Sequence, residues 1–331
     1  MDTDALVSII MPAKNAAPYI KECLESILAQ DYAHWELLVT DDHSTDQTTD
    51  ILDHFSKQDT RIRIFKNLGH GITPALQTAY AYALGAYITR MDADDIMPQN
   101  KLTLLVDTCQ SETVLATGLV KYFSFGTLGE GYIKYADWLN QNLKSQDPFK
   151  EIYKECVIPS PCWMLRKPTF DKLGAFDSAL YPEDYDLCFR MRRAGLQVQT
   201  GDQVLHHWRD YPERSSRTDD NYADNRFLEI KLSYFLADDY DKARPLVIWG
   251  AGKKGKSVAQ LLIDQKIPFH WISNNPKKIG HDIYGQVIQG EELIDDKSNT
   301  QCLICIAGPD DQNHIKKVLK VSNQITPYWF C

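Results

Sequence analysis

The sequence predicts an α/β protein: a parallel, doubly wound sheet followed by a second, smaller α/β unit. Three observations carry this. Short apolar runs alternate with segments of helical period over the first hundred residues, the pattern loosens from about residue 112, and the alternation starts again at "KARPLVIWGAGKKGK". Strands alternating with helices imply a parallel sheet, because each crossover must bring the chain back to the same edge.

Each element has its own signal. "ALVSIIM" is apolar and rich in β-branched residues, and reads as the first strand. Pro18 opens a helix in which Ile20, Cys23, Leu24, Ile27 and Leu28 share one face. "WELLVT" is a second strand, and "STDQ" after it has the spacing of a capping box, Ser44 with Gln47, ahead of a helix through Ile51, Leu52 and Phe55. "RIRIF" reads as a third strand, "TPALQTAYAYAL" as a third helix and "AYITRM" as a fourth strand. The stretch "SFGTLGEGYIKYADWLNQNLKSQDPFKEIYKEC" is long, aromatic and weakly helical. In "YPEDYDLCFRMRRAG", Pro182 precedes a helix, acids fill its first turn, Arg190, Arg192 and Arg193 fill its last, and Gly195 stops it. A polar stretch then leads to a connecting helix near residues 224–237. The expected division is a first domain over residues 1–220, a helical linker over 221–243 and a second domain over 244–331.

Composition narrows the function. With 44% apolar and 24% charged residues the chain has the make-up of a soluble globular protein. A net charge of −9 argues against nucleic acid as a partner. No apolar stretch approaches the ~20 residues of a membrane helix. The start, "MDTDALVSII", has no basic region and runs straight into a strand, so no signal peptide is expected. Of eight cysteines, only Cys302 and Cys305 have C-x-x-C spacing. They would point to opposite faces of a strand, with no second pair, so neither metal nor redox chemistry is expected there. The chain reads as reduced and cytoplasmic.

Acidic residues gather at strand ends. Asp41 and Asp42 follow the second strand, and Asp92, Asp94 and Asp95 follow the fourth. Open α/β sheets bind ligands beyond the carboxyl ends of their strands. Paired carboxylates there suit Mg²⁺ or Mn²⁺ held against phosphate oxygens. D-x-D spacing occurs four times in the chain, so spacing alone says little; only the Asp92/Asp94 copy closes a strand in the alternating region. Asp184 lies in a helix's first turn, where the macrodipole favours the ionised form, and shares a face with Leu187, Met191 and Ala194. Neighbouring Glu183 reads as structural. His206, His207, Arg209, Arg214 and Arg217 form a basic cluster. Its arginines suit phosphate recognition, or they pair with the loop's own acids; the two histidines read as packing residues.

In this order "VSIIMPAKNAAPYIKECLESILAQ", "WELLVTDDHSTDQT", "YITRMDADD" and "YPEDYDLCFRMRRAG" resemble glycosyltransferase family 2, inverting sugar transferases of the GT-A fold, over residues 6 to about 218. "MLRKPTFDKLGAFD" and "SSRTD" also fit the family pattern. The resemblance implies that Pro12 and Ala13 line a nucleotide pocket through their backbone, with Asn15 beside them. It implies that Asp42 hydrogen-bonds the base, Asp92 reaches the ribose or sugar, Asp94 holds Mn²⁺ or Mg²⁺ on the donor diphosphate, and Asp184 is the general base. From the basic cluster, Arg209 and Arg217 are the candidate donor contacts. The implied donor is a UDP-, dTDP- or GDP-sugar and the implied acceptor a glycan or lipid-linked hydroxyl, in bacterial surface polysaccharide or glycan synthesis at the inner face of the membrane. Two positions depart from the pattern: Lys14 stands where many members have an aromatic residue, and His43 where glycine is common. The chemistry agrees with the implied roles. A sugar hydroxyl is a weak nucleophile and needs a carboxylate to take its proton, and a departing nucleoside diphosphate gathers charge that a divalent cation neutralises. The acceptor is expected to meet the stretch from 119 to 160.

The second domain carries "GAGKKG", with Gly250, Gly252 and Gly255 after a strand and before a helix, the setting of the dinucleotide fingerprint. The acid expected ~20 residues further on is missing, and Ser273, Asn274 and Asn275 stand there instead. The domain resembles the small Rossmann-like module at the start of some bacterial sugar-nucleotide acyltransferases and at the tail of some multidomain family 2 enzymes. Nucleotide binding and a structural cap both stay open. Besides a glycosyltransferase, the sequence leaves an NAD-dependent oxidoreductase, supported only by the glycines, and an inactive sugar-nucleotide sensor.

Overall fold

The first strand, β1 (Val7–Ala13), is buried on both faces, as a strand covered by helices on either side must be. In the computed structural model the chain is described over residues 5–178, 180–214, 217, 227–294, 299–321 and 324–331. β1 pairs in parallel with β2 (Trp35–Asp41) and β4 (Tyr87–Arg90), and β2 with β3 (Ile62–Lys66). The helices between them, α1 (Ile20–Leu28), α2 (Thr48–Gln58) and α3 (Ile72–Tyr80), turn buried faces inward. Helix α4 (Lys101–Thr108) follows, then β5 (Val114–Phe123), α5 (Glu130–Leu143), β6 (Trp163–Arg166) and α6 (Lys167–Lys172). Helix α7 (Glu183–Arg193) and the long strand β7 (Gln197–Arg209) complete the unit. The strand order is β3-β2-β1-β4-β6-β5-β7.

Two local expectations change. The sheet is mixed, because β6 runs antiparallel to both β4 and β5. At four residues β6 is too short to show a period in sequence. The capping box does not form. Ser44 Oγ instead accepts the Asn15 N–H at 2.9 Å, which ties the loop after β2 to the loop after β1. Asp46 takes the vacated role, accepting the Thr48 N–H at 3.0 Å.

The chain divides into two units, Met1–Phe149 with Cys156–Arg214, and Lys150–Glu155 with Ser215–Cys331. The second contains α8 (Phe227–Tyr234); the rest of the expected linker before it, 221–226, lies outside the described residues. Next come β8 (Leu246–Trp249), α9 (Lys253–Asp264), β9 (His270–Ile272) and the two-stranded ribbon of β10 (Asp282–Ile283) and β11 (Gln286–Val287). Strand β12 (Thr300–Ile304), helix α10 (Pro309–Val321) and strand β13 (Ile325–Trp329) finish it, and four parallel strands lie in the order β13-β12-β8-β9. Strand β13 contains Pro327, which hides it from a strand reading. Pro is tolerated there because β13 is an edge. Residues 150–155 join this unit through Tyr153, whose ring stacks on Phe330 at 5.5 Å.

Gly85 marks where the turn before β4 passes closest to β1. Its N–H donates to Ser8 Oγ at 2.8 Å, and a Cβ there would lie 2.6 Å from Ser8 N and 2.7 Å from Leu6 O. Backbone cannot retreat as a side chain can. Gly85→Ala is expected to lower stability by about 1–3 kcal/mol. Gly131→Ala, in α5 with nothing near its would-be Cβ, should leave stability unchanged or raise it by about 0.5–1 kcal/mol. Urea denaturation of the two variants checks the contrast.

Candidate active site

Strand β4 ends in Arg90, which is 5% exposed. Its Nε donates to Asp92 Oδ1 at 2.9 Å and its Nη1 to Glu183 Oε1 at 3.0 Å. One guanidinium therefore ties the acidic strand end to the first residue of α7. Asp184, next along, is half-buried and lines a cavity with Arg90, Ile158, Ser160, Trp163 and Leu187. Burial raises its carboxyl to about 7, the Glu183 charge adds to the rise, and Arg90 opposes it. A carboxyl in that state can take up a proton near neutral pH.

Asp94 and Asp95 sit in the turn beyond. Asp94 Oδ2 accepts the Tyr211 hydroxyl at 2.8 Å. Burial raises Asp94 to about 7, helped by the charges of Asp95 and Asp92, while Arg214 and the Tyr211 hydrogen bond pull the other way. Asp95 is fully buried and accepts from His206 Nε2 and from the Arg209 N–H, each at 2.8 Å. Its carboxyl is also raised by burial. Behind it, Lys101 Nζ donates to Pro161 O at 2.7 Å and to His206 Nδ1 at 3.2 Å. Burial holds His206 well below its usual range. The ring is thus neutral, donating from Nε2 and accepting at Nδ1. Arg209 is 1% exposed. Its Nε donates to Asp94 O at 2.7 Å and its Nη2 to Glu22 Oε2 at 2.6 Å, so it braces the turn from behind.

The loops after β1 and β2 form a second group. Ala13 O accepts the Asp42 N–H at 2.8 Å, which fixes Pro12 and Ala13 against the acidic end of β2. Asn15, at φ +47°, accepts the Thr45 N–H at 2.8 Å. Asp42 Oδ1 accepts from Asn67 Nδ2 at 2.6 Å and from the Gly71 N–H at 3.0 Å, and its Oδ2 accepts from Lys14 Nζ at 3.1 Å. Burial alone would raise this carboxyl; the bonds from Asn67, Lys14 and Gly71 outweigh it and hold it low.

The first unit thus contains Pro12, Ala13, Asn15, Asp42, Asp92, Asp94, Asp184 and Arg209. Arg217 is exposed and groups with the second unit, and the remainder of "SSRTD" lies outside the described residues. In the second unit Gly250 adopts φ +120° and donates its N–H to Ile272 O at 2.9 Å. A Cβ on Gly255 would lie 1.9 Å from Gly250 O, so that glycine is demanded by helix–strand packing; a Cβ on Gly252 meets nothing within 4 Å. Cys302 and Cys305 are buried free thiols, pushed up by that burial. Sequence reading missed Arg90, Glu22, Lys101 and Tyr211 as parts of the site. A basic residue closing an apolar strand two places before the acid Asp92 was the available signal for Arg90.

The description "Glycosyl transferase family 2" matches residues 8–174. The UDP-Glc:alpha-D-GlcNAc-diphosphoundecaprenol beta-1,3-glucosyltransferase WfgD of Escherichia coli is 45% identical over 104 residues, 31% of this chain and 40% of the relative. The putative teichuronic acid biosynthesis glycosyltransferase TuaG of Bacillus subtilis is 40% identical over 98 residues, 29% of this chain and 39% of the relative. The uncharacterized protein y4gI of Sinorhizobium fredii is 30% identical over 253 residues, 69% of this chain and 25% of the relative. The chain therefore spans a quarter to two fifths of these relatives. Among solved structures, mannosyltransferase PcManGT from Pyrobaculum calidifontis, in complex with GDP-Man and Mn²⁺, superposes with a TM-score of 0.55 at 19% identity, covering 71% of this chain and 65% of that one. S. aureus TarS 1-349 in complex with UDP-GlcNAc gives 0.54 at 18% identity, covering 77% and 71%. At such identities the likeness is one of fold, a GT-A fold.

Arg90→Met should cost about 3–5 kcal/mol, because it leaves the Asp92 and Glu183 carboxylates without their counter-ion. Adding Glu183→Leu to that variant should restore part of the loss, since the pair then goes together. Urea denaturation of both variants provides the check.

Proposed function

The chain belongs to glycosyl transferase family 2, and from that premise we propose that it moves a sugar from a nucleotide-sugar donor to a hydroxyl of a glycan or lipid-linked acceptor, with inversion at the anomeric carbon. The observation that carries this reading is the Arg90 bridge, which sets a carboxyl titrating near neutrality beside an acidic strand end. Asp42 and Lys14 offer an acceptor beside a donor, 3.1 Å apart, suited to the adjacent carbonyl and N–H of uracil, thymine or guanine. This supports a UDP-, dTDP- or GDP-sugar, with Pro12, Ala13 and Asn15 around the base and Asp92 toward the ribose or sugar. The structures that resemble this chain were obtained with GDP-Man and with UDP-GlcNAc, which fits the same donor class.

Asp94 is the residue for a divalent cation. It is a desolvated carboxylate raised to about 7 by burial and like charge, with Tyr211 as partner to one oxygen, and it presents a hard oxygen donor. Bound there, Mn²⁺ or Mg²⁺ would neutralise charge on the donor diphosphate. Arg209, braced between Glu22 and the Asp94 backbone, holds the turn in position. Asp184 takes the proton of the acceptor hydroxyl as its oxygen attacks the anomeric carbon and the bond to the diphosphate oxygen breaks. One base and one direct displacement invert the centre.

The acceptor reading draws on two relatives: the name of WfgD specifies a diphosphoundecaprenol substrate and that of TuaG teichuronic acid synthesis. It extends to a cytoplasmic enzyme working at the inner face of the membrane; among the described residues no helix is long and apolar enough to cross one. The second unit reads as a Rossmann-like, nucleotide-binding-type domain, supported by its four parallel strands and the open space at Gly252. Hydride transfer is not part of this reading, because Ser273, Asn274 and Asn275 stand where an acid would hold the ribose.

Asp184→Asn should lower kcat by about 10²–10⁴-fold and leave donor affinity within a few-fold. The wild-type rate should fall as pH drops below about 7, because the raised carboxyl is then protonated and cannot accept a proton. Steady-state kinetics across pH test both, and proton NMR of the product should find the anomeric configuration opposite to the donor's. A second variant addresses the cation. Asp94→Asn should abolish the Mn²⁺-linked gain in UDP affinity; calorimetry showing that gain intact would remove Asp94 from its role.

A further inference from the structure

The loop after β2 and the loop between β3 and α3 bring two exposed histidines together. The His43 and His70 rings stack with centroids 4.4 Å apart. One ligand atom from each of Asp42, His43 and His70 lies within 4.8 Å of the other two. His43 holds its place at φ +57°, a left-handed backbone that is strained for a residue with a Cβ. Its Nε2 lies 2.8 Å from Gly69 O. A carbonyl only accepts, so that nitrogen carries the hydrogen and Nδ1 keeps its lone pair free. Metal-ligating histidines are commonly fixed in this way, by donating the other ring N–H to a backbone carbonyl.

We propose that Asp42, His43 and His70 form a binding site for a late first-row divalent ion of the zinc class, and that the bound ion excludes the donor nucleotide from Asp42. Two imidazoles and a carboxylate select Zn²⁺, Cu²⁺ or Ni²⁺ over Mg²⁺ and Mn²⁺, whereas the all-oxygen Asp94 position favours the harder pair. Three protein ligands leave a position for water, the arrangement of an accessible zinc site. Lys14 already sets a positive charge 3.1 Å from Asp42 Oδ2, so the carboxylate is arranged for a cation. With its side chain 56% exposed, Lys14 can swing into solvent as the ion enters. Its charge opposes the ion, and removing it should tighten binding. The exclusion half of the proposal rests on the reading of Asp42 as the base-binding residue; the ion site itself does not.

The test uses the full chain, stripped with a chelator and titrated with ZnCl₂ against a chromophoric competitor. The wild type should take up an equivalent of zinc that weakens at least tenfold in His43→Ala and in His70→Ala and tightens several-fold in Lys14→Met. Both histidines are exposed, so the variants should keep the wild-type circular dichroism and melting temperature. Calorimetry with UDP should show affinity lost on zinc saturation in the wild type and retained in His70→Ala. Zinc uptake unchanged in both histidine variants would overturn the site, whatever UDP does. Zinc bound through the histidines with UDP affinity unaltered would overturn the exclusion. Failure of UDP, dTDP and GDP alike to bind with Mn²⁺ present and zinc absent would count against the proposed function and leave the zinc titration standing as support for the site.

Discussion

The Arg90 guanidinium is buried between Asp92 and Glu183, 2.9 and 3.0 Å from their oxygens, and the first unit's chemistry is arranged around that contact. Arg90 closes β4, Asp92 begins the acidic turn and Glu183 begins α7, so one side chain sets the distance between a strand end and a helix start. Arginine suits the task because it stays charged when buried and its planar fork can hold two carboxylates at once. Burying such a group with one partner would be unfavourable; with two, the pairing and its hydrogen bonds offset desolvation. Asp184 is held by the same contact, since it follows Glu183 on the first turn of α7.

A second buried chain of contacts fixes the other side of the acidic turn. Lys101, His206 and Asp95 are linked in series, with the Arg209 N–H closing on Asp95. Each member answers the desolvation of the next, which is how a lysine, a histidine and an aspartate can all be fully buried together. The pairing of β5 with β7 makes this possible, because its register carries His206 to Arg209 alongside Val120 to Phe123 and past the end of β4. The acidic turn thus lies between two rigid anchors, one on α7 and one on β7.

That register is also what the sequence did not reveal. Helices α1 and α7 were legible, one from its apolar period and the other from its caps and charges, and β1 to β4 from their apolar runs between turn residues. Local signals carried that far. Strand β5 lies in the stretch where the pattern loosens, because its last residues turn outward. The acids were legible as strand ends, but their partners were not: Tyr211 lies 117 positions from Asp94, and Arg90 reads as the polar tail of an apolar strand. Arg209 suggested phosphate binding from its residue type; in the structure it is turned inward against Glu22 and the Asp94 backbone. Residue type limits what a side chain can do, and long-range pairing decides what it faces.

Two carboxylates at the edge of one sheet end up in opposite states. Asp42 is nearly buried yet held low, because Asn67, Gly71 and Lys14 donate to it. Asp184 is raised to about 7, because burial and the Glu183 charge outweigh Arg90. A carboxylate ringed by N–H donors stays ionised through the physiological range and serves to bind. One that titrates near neutrality can exchange a proton within a catalytic cycle. Environments that push two acids apart in this way separate a binding role from a proton-transfer role. These surroundings support the proposed assignment of Asp42 to the nucleotide and of Asp184 to the acceptor hydroxyl; Asp94, raised in the same way, has the Tyr211 hydroxyl on one oxygen and is proposed for the cation instead.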